Sequence, residues 1–183
     1  MTSHATLKST VLAIALLLAG GAHAANLSKD AYKQAKAGAS ATYKTEKNAC
    51  DAMKDNAKDI CVQEAKGHER VAKAQAEYDY TGKPKDMTKL NKVKAEATYD
   101  VAKERCDDKA GNDKDVCVKE AKAMRDKAVA DVTARKEIGE AKMDATKTKR
   151  DADYKVAAEK CDALAGDAKS ACMTSAKTKY GKL

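Results

Sequence analysis

Six cysteines stand in three pairs of identical spacing: Cys50 and Cys61, Cys106 and Cys117, Cys161 and Cys172. Paired thiols can close structural disulfides, exchange electrons with other thiols, or hold a soft metal such as zinc. Redox exchange favours two cysteines separated by only two residues, and no C-x-x-C pair occurs. Zinc is conceivable at such pairs, but the regular C-x10-C spacing points to structural bonds. Six cysteines allow fifteen pairings. The spacing favours Cys50–Cys61, Cys106–Cys117 and Cys161–Cys172.

Each pair sits in a longer repeated segment, A-x-Y-x6-C-D-x9-C-x3-A-K. It begins at Ala41, at Ala97 and at Ala152, so the copies start 56 and then 55 residues apart. Five residues after the first cysteine stands Asp55, Gly111 or Gly166, where glycine suits the left-handed residue just past a helix C-terminus. Asn56, Asn112 or Asp167 follows, and each is a good N-cap for a second helix. A helix therefore stops, turns and restarts antiparallel, with the two cysteines at matched heights on the arms. Tyr43, Tyr99 and Tyr154 share a helical stripe with the first cysteines, and Ala65, Ala121 and Ala176 with the second. The tyrosines are expected to cover the disulfide and the arm interface.

Thr81-Gly82-Lys83-Pro84 breaks the helix between the first two hairpins, with Asp86 as a restart cap. Only Gly139 interrupts the path from the second hairpin to the third, and one glycine costs about 1 kcal/mol against alanine. A continuous helix of about 50 residues, roughly 75–80 Å long, is favoured over a turn there. The expected organisation is hairpin 1 over 25–81, hairpin 2 over 85–138, and hairpin 3 over 139–183 with a short last arm. The fold class is all-α: three disulfide-stapled antiparallel hairpins joined by long helices, as a coiled-coil-like or elongated bundle.

The N-terminus predicts the compartment. Lys8, the apolar run Val11–Ala19 and the small residues Ala22 and Ala24 form a signal peptide over 1–24, cleaved between Ala24 and Ala25. The apolar run is about half the roughly 20 residues a spanning helix needs, so no transmembrane anchor is expected after cleavage. The location expected is periplasmic or secreted, where disulfides persist.

The 183 residues carry a net charge of +8 and include no Phe or Trp. Leu, Ile and Val are scarce after residue 24, a composition near that of disordered chains. Abundant alanine favours helix, and cross-links replace missing core. The charges are interleaved, and Asp115 with Lys119, Asp131 with Arg135 and Asp151 with Lys155 have the i,i+4 spacing of helix-stabilising pairs. Mild attraction to an anionic cell-envelope surface follows from the positive balance. With so few aromatics, no nucleic-acid partner is expected.

Catalytic signatures such as G-x-S-x-G, H-E-x-x-H and phosphate loops are missing, and the mature segment holds one histidine, His68. No enzyme activity, cofactor or metal is expected. The acidic turns around Asp51 and Asp107 lack the glycine and terminal glutamate of a calcium loop.

The segment from Ala158 to Lys169, followed by Cys172 and Lys177-Thr178-Lys179-Tyr180-Gly181, resembles a family of exported proteobacterial proteins rich in Ala and Lys with paired cysteines. Some of these are labelled TolA-like cell-envelope proteins. The resemblance implies an exported helical protein and no activity. The expected function is a non-catalytic structural, scaffold or stress-related binding module of the envelope, with envelope proteins as candidate partners. The alternatives are a periplasmic holdase and a metal- or redox-responsive cysteine module.

Overall fold

The computed structural model describes residues 26–182. The expected signal peptide and its cleavage between Ala24 and Ala25 lie outside the described residues. Among the described residues, five α-helices follow in order: α1 (Lys29–Ala49), α2 (Asp55–Thr81), α3 (Pro84–Arg105), α4 (Gly111–Asp162) and α5 (Gly166–Tyr180). There is no strand among the described residues, so the fold is all-α.

Local chemistry sets the ends. The Ser28 hydroxyl accepts a hydrogen bond from the Ala31 amide at 3.1 Å and caps α1. Leu27 N donates to Asp79 O at 2.8 Å, which pins the start of α1 beside the end of α2. Gly82 closes α2 in the left-handed region at φ 61°, and Pro84 opens α3 at its first position. Asp86 is therefore not the cap of α3. It lies inside the first turn, nearly buried, and accepts from the Thr81 hydroxyl at 2.6 Å, tying the two sides of the turn together.

Helix α4 runs 52 residues without a break through Gly139, about 78 Å at 1.5 Å per residue. Its first half serves the second hairpin and its last part serves the third. Between them, every residue from 134 to 150 is exposed.

Helix α1 packs on α2, α2 on α3, α3 on α4, and α4 on α5. Each helix thus rests mainly on its neighbours in the chain, and the molecule is a folded-back ribbon of helices around a thin interior. Apart from Leu90, every buried apolar side chain among the described residues is an alanine or a cysteine. Small side chains let backbones approach closely. At the α2–α3 contact, Gly67 is buried and a Cβ placed on it would lie 3.3 Å from the Ala97 Cβ.

None of the three local pairs expected on helix surfaces forms, and one of the three acids takes a longer-range partner instead. Asp151 pairs with Lys182, at 2.6 Å across the third hairpin, and not with Lys155. Asp115–Lys119 and Asp131–Arg135 form no ion pair, whereas Glu69–Lys73 and Lys136–Glu140 do. Each local pair is worth only a few tenths of a kcal/mol, about 0.2–0.5, so spacing alone does not decide which of them form.

Candidate functional site

The three cysteine turns are the most sharply built places in the molecule. Cys50–Cys61, Cys106–Cys117 and Cys161–Cys172 are disulfides, with Cα atoms 5.7, 5.6 and 5.6 Å apart. The first cysteine of each pair is fully buried and the second is half-buried. All six sulfurs are engaged, so none is left as a thiolate to attack a substrate or bind a metal.

The backbone repeats at each turn. The first cysteine begins a tight turn in which Met53, Lys109 or Leu164 donates its amide to the Cys50, Cys106 or Cys161 carbonyl at 3.0 Å. An extended residue follows (Lys54, Ala110 or Ala165), and then the left-handed residue at φ 50°, 54° and 54° for Asp55, Gly111 and Gly166. The second helix begins at that left-handed residue. The expected caps Asn56, Asn112 and Asp167 are consequently inside the helix and do not cap it. The capping position belongs to Lys54, Ala110 and Ala165, none of which makes a side-chain capping bond. Asn56 instead donates to the Glu104 carbonyl at 3.0 Å, fastening the first turn to the end of α3.

An ion pair spans every turn. Lys58 lies 2.8 Å from Asp51, Lys114 2.9 Å from Asp107, and Lys169 3.0 Å from Asp162. The Lys58 ammonium holds the Asp51 carboxyl below its ordinary value, and Asp51 in turn raises Lys58. Asp107 raises Lys114 in the same way. These pairs account for the aspartate that follows each first cysteine. The pattern C-D-x6-K-x2-C stands in all three copies, and the lysine eight residues after the first cysteine is the signal that marks the clasp.

Two turns farther from the sulfurs, the arms meet through the position eight residues after the second cysteine. The Arg125 guanidinium lies 4.6 Å from the Tyr99 ring centroid, and the rings of Tyr154 and Tyr180 meet edge-on at 6.5 Å. In the first hairpin Glu69 occupies that position and accepts from the Ser40 hydroxyl at 2.8 Å. Lys73 and Ser40 together hold the Glu69 carboxyl low. Tyr99 and Tyr154 thus secure the arm interface, about two turns from the disulfides. Ala65, Ala121 and Ala176 are buried one turn past the second cysteines. His68 is exposed and its ring nitrogen lies 3.2 Å from a Glu46 carboxylate oxygen, an α1–α2 contact at the surface.

An open trough of about 800 Å³ runs along α2 and α3. Its floor includes Val71, Ala72, Ala97 and Val101, and the Arg105–Glu64 ion pair, 2.7 Å long, closes one end. Among the described residues, no three His, Cys, Asp or Glu side chains are gathered as a metal ion would require. Likewise, no described helix is long and apolar enough to cross a membrane.

Comparison with family models, curated proteins and solved structures finds no match for this chain.

Proposed function

We propose that this chain is a non-catalytic helical module exported to the cell envelope, where it holds other components at fixed separation. The observation that supports this reading most is the investment of all six cysteines in chain reversals at regular intervals along a ribbon that includes a 52-residue helix. Disulfides joining such short loops stiffen the corners, and a long α-helix keeps the distance between them. The signal-peptide pattern and the oxidised cysteines both favour an extracytoplasmic compartment. The repeated segments then provide several similar surfaces for envelope proteins or an anionic envelope surface.

Deletion of the gene in the source organism tests the proposal. Loss of the chain is expected to sensitise cells to detergent or osmotic stress, and wild type but not a variant with all six cysteines changed to serine restores resistance. An unaltered envelope in the deletion strain, or robust turnover of a substrate by the pure protein, counts against it.

The open trough favours a second reading, a holdase that shelters unfolded clients on the apolar floor between α2 and α3. Light scattering of an aggregating client decides it. No suppression at several-fold excess removes that reading.

A further inference from the structure

Helix α4 contains the two faces that α2 and α3 bury against each other, but on one straight rod where they cannot meet. Counted from the cysteines, α2 is equivalent to the first half of α4, and α3 to the second half. Helices α2 and α3 fold back through Thr81-Gly82-Lys83-Pro84 and pair Glu64 with Arg105 and Arg70 with Asp100, with Gly67 against Ala97. The equivalent positions in α4 are Glu120 and Lys160, Asp126 and Lys155, and Ala123 and Ala152. Opposite charge is kept at both pairs, with the signs exchanged between arms in the second, and small residues again face small.

In α4 none of these pairs is formed, and among the described residues Asp126 accepts only from its chain neighbour Arg125, at 2.7 Å. Ala123 and Ala152 are exposed where Gly67 and Ala97 are buried. Glu120 and Lys160 stand about 60 Å apart along the helix and neither makes an ion pair among the described residues. The helix does not fold back to join them because its turn residues are gone. Counted from the second cysteine, the left-handed Gly82 is replaced by Ile138, a β-branched residue strained at positive φ, and Pro84 by Glu140.

We infer that the missing partner is a second copy of this chain. The α4 helices of two copies run antiparallel, residues 111–138 of one on residues 139–162 of the other. The midpoints of the three equivalent pairs all fall within two residues of Gly139, so a two-fold axis passes there and every pair forms twice. Each arm buries in the second copy the face that α2 and α3 bury in one another, as in arm exchange when a hinge loop opens into helix. The bare stretch 134–150, with Ile138 and Met143 54% and 66% exposed, becomes the centre of the interface.

Light scattering coupled to size exclusion tests this on the oxidised, signal-free chain. The expected mass is twice that of one chain, and amides within 134–150 are protected from hydrogen exchange until dilution separates the copies. Lys160→Glu should raise the dimer dissociation constant several-fold, and adding Glu120→Lys should restore it. Rebuilding the turn with Glu137→Thr, Ile138→Gly, Gly139→Lys and Glu140→Pro should give a monomer with all cysteines still bonded. A single-chain mass for the wild type at its highest soluble concentration overturns the inference. So does a dimer untouched by the turn variant, or a charge exchange that fails to rescue Lys160→Glu.

Discussion

Gly67 of α2 lies against Ala97 of α3 so closely that a methyl group on the glycine would stand 3.3 Å from the alanine Cβ. Glycine in mid-helix costs about 1 kcal/mol against alanine, so its presence here marks a distance the two helices need. Gly67→Leu is expected to force α2 from α3 and to destabilise the chain by about 1–3 kcal/mol, the usual range for an overpacked contact. Urea unfolding followed by circular dichroism measures this. A midpoint equal to wild type would mean that the close approach does not matter.

The left-handed corner residues differ in a way that predicts opposite signs. Gly111 and Gly166 adopt φ 54° without steric cost, and Asp55 adopts φ 50° despite a side chain. Gly111→Ala or Gly166→Ala should cost about 1–2 kcal/mol, while Asp55→Gly should be neutral or stabilising. Thermal melts of the three variants give the comparison. A loss of stability in Asp55→Gly would show that the aspartate contributes more at the start of α2 than its backbone strain removes.

Each disulfide closes a loop of similar size, and the chain-entropy model assigns such a loop about 3 kcal/mol. Because every helix rests mainly on its chain neighbours, the losses should be local. Replacing Cys161 and Cys172 together by serine is expected to release α5 and the end of α4, leaving amide protection in α1–α3 unchanged. Hydrogen exchange read by mass spectrometry resolves the two regions. Uniform loss of protection would show that the ribbon unfolds as one unit.

Ion pairs at the turns, within α2 and across the third hairpin set the pH range of stability. Asp51, Glu69 and Asp151 are held below their ordinary values near 3.8, 4.5 and 3.8 by Lys58, by Lys73 with Ser40, and by Lys182. A carboxyl lowered in the folded chain contributes stability that is present above its unfolded value and disappears as pH falls through the folded one. Lys58 and Lys114 are raised above 10.5, so their contribution is full below that value and is lost as pH climbs past the folded one. Melting temperature should therefore be flat from about pH 5 to pH 10 and fall on either side. Asp51 is exposed, and Lys58, Glu69 and Asp151 are only half-buried, so 1 M salt should flatten the acid limb. An acid limb unmoved by salt would point to causes other than these pairs.

Much of the architecture could be read from spacing because the cysteines report directly on geometry. Ten residues between bonded sulfurs fit two antiparallel arms, and the glycines at 111 and 166 mark the left-handed corner. The burial of Ala65, Ala121 and Ala176 followed from helical periodicity, and the single interruption at Gly139 was too weak to end α4. The caps were misplaced because a left-handed glycine usually closes a helix, whereas here an extended residue intervenes and the next helix starts on it. Asp151 found Lys182 and not Lys155, since an i,i+4 rule sees one helix and the winning partner arrives from the end of the third hairpin. The lysine clasps are present in all three copies, but their meaning needs the turn that brings the lysine eight residues after the first cysteine back over the aspartate one residue after it.

The bare middle of α4 acts as a gauge of bearing as well as distance. An α-helix advances about 1.5 Å and rotates about 100° per residue, so one inserted residue would swing the third hairpin a quarter-turn or more around the rod. Seven inserted residues would return it close to its original azimuth, some 10.5 Å farther out. Whatever grips the second and third corners together would tolerate a change of two turns far better than a change of one residue.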